Sequence, residues 1–282
     1  MISIIICSKY RILNKVVQQN IYDTIGCNYE IILIDNSENK YSIFSAYNKG
    51  VEMAKYPFLC FIHEDILFRT NNWGNLICKV LNDELNGVIG VIGSKIMMDL
   101  SFGWWEVGSR VGTIIQNQRT CKMHHINSYK TISQPILEDA VALDGLFLAM
   151  PRSIFAKISF DENTYSGFHC YDIDICMQAI DKGYKVKVVN ILIEHYSVGY
   201  VDYSFVDAMF LFLKKWKYKL PVYSSEITPS DFEFVRDNAI YSILKNKVDL
   251  SRVNTRGIRK VVSTYIYMRS ILGSILNKLK NI

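Results

Sequence analysis

The sequence predicts an α/β fold, with a mostly parallel central sheet flanked by helices and followed by a helical C-terminal extension. Over the first hundred residues, short apolar runs alternate with amphipathic stretches, which is typical of strands and helices that follow one another in turn. The 282-residue chain is 50% apolar and 21% charged, which suits one large globular domain or one domain with an appendage. After residue 203 the pattern is helical. A membrane-spanning helix needs about 18 continuous apolar residues, and every apolar run here is interrupted earlier.

The first hundred residues divide into four predicted strands and three predicted helices. The strands cover residues 2–7, 29–34, 58–62 and 87–96, and the helices cover residues 12–25, 43–54 and 72–85. This alternation builds parallel sheets, which bind ligands beyond the carboxyl ends of their strands. The polar residues directly after each strand are therefore the first candidates for a site.

The remaining chain is less regular. Residues 99–134 are turn-rich and aromatic, which indicates an insertion or hairpin over the sheet, where Trp104 and Trp105 either stack on the ring of a bound ligand or fill space under the loop. Further predicted elements are strands at 141–150 and 185–194, a helix at 171–182, and helices after residue 203 with a break at 221–229. We expect a domain of residues 1–203, with halves 1–98 and 99–203, and an extension of residues 204–282.

Charge and cysteine content narrow the protein class further. The apolar N-terminus predicts a strand that starts at once rather than a secretory signal, so we expect a cytoplasmic protein. Seven cysteines without a C-x-x-C pair indicate neither a disulfide framework nor a zinc knuckle. Residues 236–282 carry ten Lys or Arg against two Asp, whereas residues 1–235 have a net charge of −3. We expect no nucleic-acid partner, and either peripheral membrane contact or a homodimer through the basic amphipathic C-terminal helices.

Three ionisable residues, His63, Glu64 and Asp65, follow the apolar run of residues 58–62. At the carboxyl end of a parallel strand they can hold a divalent cation and the diphosphate that it neutralises. Since side chains alternate along an extended segment, His63 and Asp65 are expected to share one side while Glu64 points away. The alternative is that Glu64 and Asp65 cap the next helix.

Two further candidate groups follow the first two strands. Ser8 comes directly after the first strand, and Asp35 with Asn36 comes directly after the second. A carboxylate at such a position can accept from a ribose hydroxyl or a base N–H. The alternative is a turn built from Asp-Asn-Ser.

Asp172 and Asp174 open the predicted helix at 171–182. Each suits a helix N-terminus electrostatically, and one of them can instead be a general base that takes a proton from an incoming hydroxyl. His195, after the predicted strand at 185–194, is either a structural hydrogen-bonding group or a ligand.

In order and spacing the chain resembles the family 2 glycosyltransferases with the GT-A fold, in particular a bacterial branch in which the Asp-x-Asp metal motif appears as His-Glu-Asp. The resemblance covers roughly residues 1–200. The matching segments are residues 3–8, 34–37, 47–50, 61–65, 143–145, 160–162, 168–174 and 195–199.

The resemblance implies roles for individual residues. Asp65 and His195 would bind Mn²⁺ or Mg²⁺, Asp35 would contact the uridine, and Asp144 would hold the sugar or the acceptor. Asp172 would be the catalytic base. The full set implied for the nucleotide-sugar is Ser8, Asp35, Asn36, Asn48, His63, Glu64 and Asp144. Two positions depart from the family pattern, with His63 in place of an Asp and Tyr171 in place of a Glu.

The expected activity is that of an inverting, metal-dependent glycosyltransferase of the hexosyl or N-acetylhexosaminyl type. It would use a nucleotide-sugar donor, a UDP-sugar in the first instance, and a glycan or lipid-linked glycan acceptor in bacterial surface polysaccharide synthesis, in the cytoplasm or at the inner face of the membrane. Two alternatives remain open: an inactive sugar-nucleotide or glycan-binding module, and a nucleotidyltransferase on a similar sheet. The second would be expected to carry a glycine-rich triphosphate loop after the first strand, where residues 7–11 contain basic residues but no glycine.

Overall fold

A computed structural model describes residues 1–99, 103–105, 109–116, 135–197 and 203–245, with the backbone alone for residues 203 and 238–245. The strands are β1 (Ile2–Ser8), β2 (Tyr29–Asp35), β3 (Phe58–Ile62), β4 (Ile66–Phe68), β5 (Asn86–Gly90), β6 (Ile92–Ser94), β7 (Ile96–Met97), β8 (Arg110–Gly112), β9 (Ile115–Gln116), β10 (Leu137–Ala140), β11 (Ala142–Leu143), β12 (Phe147–Pro151), β13 (Lys185–Val189), β14 (Ile193–His195) and β15 (Val222–Tyr223). The helices are α1 (Lys15–Thr24), α2 (Ile43–Met53), α3 (Trp73–Leu81), α4 (Tyr171–Asp181), α5 (Tyr203–Trp216) and α6 (Pro229–Lys245), with a 3₁₀ helix at Arg152–Ala156.

The central sheet has seven strands in the order β10-β13-β5-β12-β3-β1-β2. β1 is parallel to β2 and β3, and β13 is parallel to β5. β12 runs antiparallel to both β3 and β5, and β10 runs antiparallel to β13 at the edge. Five of the seven strands therefore point the same way, which confirms the predicted, mostly parallel sheet.

Alternation along β1 divides the core between the two faces of the sheet. Ile4 and Ile6 pack in a cluster with the apolar sides of α1 and α3. Ile5 faces the other way, into a cluster formed with α2, α4 and α5. Because both faces are covered, β1 and β3 consist of almost uninterrupted apolar residues, and their polar residues are confined to the strand ends.

Three predicted strands were wrong in extent. Residues 87–96 form β5, β6 and β7, which belong to three different sheets. Residues 141–150 are divided between β11 and β12 by a turn, and residues 185–194 are divided between β13 and β14. Apolar runs report burial rather than the hydrogen-bonding partner, and here the chain passes from one sheet to the next without leaving the core.

The C-terminal part is helical in α5 and α6, and the predicted break contains β15, which pairs with β7. Among the described residues, no helix combines the length and the apolarity needed to cross a membrane. The basic amphipathic segment beyond residue 245 lies outside the described residues, so its membrane or dimer contact stays a prediction.

Candidate active site

The candidate site lies at the end of the central sheet that is formed by the carboxyl-terminal ends of β1, β2 and β3. Ser8 is level with Asp35 in the β1–β2 ladder, and His63 follows the last residue of β3. β12 begins at the same end, because it is antiparallel to β3, and the amide of His63 donates to the carbonyl of Leu146 at 3.1 Å. This pairing brings Asp144, just before β12, to the ends of the parallel strands.

Three side chains converge beside this end of the sheet: His63, Asp65 and His195. One ligand atom from each lies within 4.8 Å of the other two. His195 reaches the group because β14 pairs with β4, and the amide of Tyr196 donates to the carbonyl of Asp65 at 3.0 Å. The expected alternation holds, since His63 and Asp65 share a side. The alternative of a helix cap is wrong, because β4 comes next and α3 starts only at Trp73 with Asn72 before it.

The donor set of this cluster fits a divalent cation. The Nδ1 atom of His63 and the Nε2 atom of His195 are 3.3 Å apart, and the Nε2 atom of His195 is 3.5 Å from Oδ1 of Asp65. Two nitrogens about 2.1 Å from one ion are separated by roughly 3.0 to 3.4 Å at octahedral or tetrahedral angles. Imidazole nitrogens together with a carboxylate suit a transition-metal ion better than Mg²⁺, which prefers oxygen ligands.

The protonation states of His63 and Asp65 also favour binding of a cation. Burial, and secondly the charge of His195, lower the pKa of His63 to about 4, so its imidazole is neutral near pH 7. Burial opposes ionisation of Asp65, but its hydrogen bond to His195, followed by the charge of His195, holds the pKa of Asp65 below its ordinary value. A neutral imidazole and an ionised carboxylate are the forms that bind metals.

Asp172, in the first turn of α4, is partly exposed. Its Oδ2 atom accepts from the amide of Gly145 at 3.0 Å, and its Oδ1 atom accepts from the amide of Ile173 at 2.9 Å. Burial, followed by the charge of Asp144, raises the pKa of Asp172 to about 7. Burial also raises the pKa of Asp144, whose Oδ1 atom accepts from the amide of Leu146 at 2.9 Å. A carboxyl that titrates near neutral pH suits a general base.

Asp174 is the competing candidate, and the structure places it in the protein interior with 1% of its surface exposed. Its carboxylate accepts from Tyr165 at 3.0 Å, Gln178 at 2.7 Å, Lys215 at 2.8 Å and Trp216 at 2.8 Å. Four side-chain donors occupy its oxygens, so Asp174 joins α4 to α5.

The side chains at the ends of β1 and β3 bind each other. The hydroxyl of Ser8, which is 1% exposed, donates to Glu64, and the amide of Lys9 lies 3.5 Å from the other oxygen of that carboxylate. Glu64 thus ties the end of β3 to the end of β1 and does not belong to the cluster of His63, Asp65 and His195.

The polar side chains near β2 and α2 bind backbone groups. Asp35 is exposed, accepts from the amide of Ser37 at 2.9 Å and lies 4.0 Å from Arg11, so the turn expected as the alternative is present. Asn36 closes its loop by two 2.9 Å bonds to the backbone of Tyr41. Asn48 is bonded to both backbone groups of Phe160.

Sequence reasoning missed the part that Tyr171 and Gly145 play in this site. The Tyr171 hydroxyl is 2.7 Å from the Nε2 atom of His63, and a Cβ atom at position 145 would lie 2.1 Å from that hydroxyl. The sequence did contain a signal for this contact, because His63 and Tyr171 are the two positions that depart from the family pattern. Trp104 is buried in the core and Trp105 packs at its edge against Phe205, which supports the packing role for this pair.

Comparisons with known proteins identify the family through a family model and the fold through a solved structure. The model of a family described as "Glycosyltransferase like family" matches residues 3–206. No curated protein matches the chain. A crystal structure of GalNAc-T7 with UDP, GalNAc and Mn²⁺ is similar, with a TM-score of 0.51, 14% identity, and coverage of 70% of this chain and 44% of that one. S. aureus TarS 1-349 gives a TM-score of 0.49 at 10% identity, with 93% and 77% coverage.

The likeness to GalNAc-T7 bears on the fold alone, and it confirms the predicted GT-A architecture. The chain spans less than half the length of the GalNAc-T7 chain that it matches. The site residues are therefore interpreted from their own geometry.

Proposed function

The chain belongs to the glycosyltransferase-like family whose model spans residues 3–206, and on that premise we propose that it transfers a sugar from a nucleotide-sugar to a hydroxyl group of a glycan acceptor. The observation that carries the proposal is the cluster of His63, Asp65 and His195, which is joined through His63 to Tyr171, the residue before Asp172. A cation site can stabilise the leaving diphosphate, and a carboxyl with a pKa near 7 can serve as the general base for the acceptor hydroxyl.

The metal site would serve the leaving group. His63, Asp65 and His195 would hold the ion, and Mn²⁺ suits their imidazole nitrogens better than Mg²⁺. A divalent cation bound there would neutralise the charge that develops on the departing nucleoside diphosphate. We propose UDP as the nucleotide, because the sequence resemblance implies a uridine contact at Asp35 and the similar GalNAc-T7 was crystallised with UDP and Mn²⁺.

Asp172 would act on the acceptor. Its carboxyl is partly exposed and is held in place by the amides of Gly145 and Ile173. In its ionised form it would take the proton of the acceptor hydroxyl while that oxygen attacks the anomeric carbon and the bond to the diphosphate breaks. A single displacement of this kind inverts the anomeric configuration.

Asp144 would assist by its position. It lies between β11 and β12, and its negative charge contributes to the raised pKa of Asp172, so that Asp172 can take up a proton near neutral pH. Contact of Asp144 with the sugar or the acceptor belongs to the same proposal, as do the donor-side and acceptor-side halves at residues 1–98 and 99–203. The role in bacterial surface polysaccharide synthesis, with a glycan or lipid-linked glycan acceptor, rests on the sequence resemblance.

The test is a panel of UDP-, GDP-, CMP- and dTDP-sugars, assayed for nucleotide release with Mn²⁺, with Mg²⁺ and with chelator. We expect release that needs a divalent cation, with a UDP-sugar as donor. Asp65→Ala should abolish it and leave the fold intact, while Asp23→Ala, an exposed Asp on α1, serves as the matched control.

Four results would contradict the proposal. Release at the same rate in chelator would show that the reaction needs no metal. Unchanged turnover of Asp65→Ala at limiting Mn²⁺ would show that Asp65 is not a metal ligand. Pyrophosphate release from a nucleoside triphosphate and a sugar phosphate would instead identify a nucleotidyltransferase, and nucleotide binding without turnover on any donor would identify a binding module.

A further inference from the structure

Tyr171 connects the two halves of the candidate site. It is the first residue of α4, is buried, and places its hydroxyl 2.7 Å from the Nε2 atom of His63. The other ring nitrogen of His63, Nδ1, faces His195 at 3.3 Å. The next residue in the chain is Asp172.

The position of this hydroxyl decides which nitrogen of His63 can bind an ion. A neutral imidazole has one N–H and one lone pair, and a second hydrogen-bonding partner determines which nitrogen carries the proton. If Nε2 donates to the oxygen of Tyr171, Nδ1 keeps its lone pair directed toward His195 and Asp65.

The packing around Tyr171 leaves its ring little freedom. Its ring centroid is 5.5 Å from that of Tyr47, 5.9 Å from that of Phe168 and 6.3 Å from that of Phe44. Gly145 makes room for the hydroxyl, since a Cβ atom there would lie 2.1 Å from it. The amide of the same glycine donates to Asp172. The buried side chain of Tyr171 thus contacts both Gly145, whose amide binds Asp172, and His63, which belongs to the cluster.

We propose that Tyr171 is a positioning residue that holds His63 in the Nε2–H tautomer and so prepares Nδ1 as a metal ligand. The inference rests on the metal site of the proposed function and adds a residue to it. Tyr171 also fixes the position of the metal ligand His63 relative to the base Asp172. It contacts His63 directly, and Asp172 is the next residue at the start of the same helix.

The direct test is the tautomer of His63 in the wild-type protein without metal, read from long-range ¹H–¹⁵N correlations near pH 7.5. We expect a protonated Nε2 and an unprotonated Nδ1. A protonated Nδ1 would overturn the inference, and this measurement needs no variant to fold.

The second test is the affinity for Mn²⁺ alone, measured from the electron paramagnetic resonance signal of the free ion. Loss of a hydrogen bond to a metal-binding histidine weakens binding by about 10- to 100-fold, and we expect a loss in that range for Tyr171→Phe. Tyr165→Phe is the matched control, because it also removes a buried hydroxyl beside α4, one that donates to Asp174.

A double-mutant cycle with His63→Ala separates positioning from general packing. If Tyr171 acts through His63, adding Tyr171→Phe to His63→Ala should change Mn²⁺ affinity less than twofold. An equal loss in both backgrounds, or an equal loss for Tyr165→Phe, would overturn the inference. Normal Mn²⁺ binding by Tyr171→Phe would overturn it while leaving the proposed function intact, whereas a wild-type protein that binds no Mn²⁺ would remove the metal site itself.

Discussion

Asp172 and Asp174 stand two positions apart in the first turn of α4, on different sides of the helix, and their surroundings differ in every respect that matters for chemistry. Asp172 is partly exposed and is held by two backbone amides. Asp174 is 1% exposed and accepts hydrogen bonds from four side chains. The same residue type in the same helical turn faces the candidate site in one case and the packed interface with α5 in the other.

The difference shows how surroundings divide reactivity from stability. A carboxylate whose oxygens already accept from four side chains has little capacity left to bind a further group. At Asp172, burial and the charge of Asp144 raise the pKa to about 7. We therefore propose that the chemistry belongs to the Asp172 side of α4 and the fold-stabilising role to the Asp174 side.

The largest effect expected to distinguish Asp172 from Asp174 is on the rate of transfer. Loss of a general base costs about 10²- to 10⁴-fold in rate, so Asp172→Asn should lose transfer activity in that range while donor binding survives. The measurement is kcat on the donor that the panel identifies, with the UDP dissociation constant from calorimetry. If Asp172→Asn kept its turnover and Asp174→Asn lost it, the two assignments would have to be exchanged.

The same substitution has a predicted sign for stability. Because the folded state raises the pKa of Asp172 from 3.8 to about 7, it binds the proton more tightly than the unfolded state does. The stability that this contributes is lost as pH rises through the window between those values. Asp172→Asn should therefore melt at the same temperature as the wild type or higher at pH 8.

The second effect is on folding and concerns Asp174. Breaking a buried ion pair by removing one partner typically costs about 3 to 5 kcal/mol. We expect about 3 kcal/mol for Asp174→Asn, at the lower end of that range, because Lys215 keeps its 2.7 Å contact with Asp161.

Chemical denaturation measures this loss. The control is Asp181→Asn on the same helix, where the charge pairs with Lys182 and Lys219 at the surface and the cost should stay below about 1 kcal/mol. Equal losses for the two variants would show that the buried network around Asp174 does not stabilise α4 as described.

The sequence predicted many of the polar residues at the carboxyl-terminal ends of the strands, but it could not distinguish Asp172 from Asp174. His63 and Asp65 follow a continuous apolar strand, so strand alternation and the strand-end position were enough to place them together. Both Asp172 and Asp174 suit a helix N-terminus, and the discriminating donors, Lys215 and Trp216, come about forty residues later on α5. Local pattern carries no information about such partners.

Other misses have the same origin. His195 has no ionisable neighbour but Glu194 in its own segment, and it reaches Asp65 only through the pairing of β14 with β4. The three divided strands stayed continuous in the prediction because burial on both sides hides the change of sheet. The polar ends of β1, β2 and β3 were located correctly, but their hydrogen bonds to one another depend on loop geometry that periodicity does not encode.

The measurement that tests the central claim most directly is the pH dependence of kcat/KM, with Mn²⁺ kept saturating at each pH as checked by paramagnetic resonance. The base must be ionised, so the rate should rise about tenfold per pH unit below a pKa of about 7 and level off above it. Asp174→Asn should keep this profile. A rate that is constant between pH 5.5 and 8, or a midpoint that moves in Asp174→Asn, would contradict the assignment of Asp172 as the base.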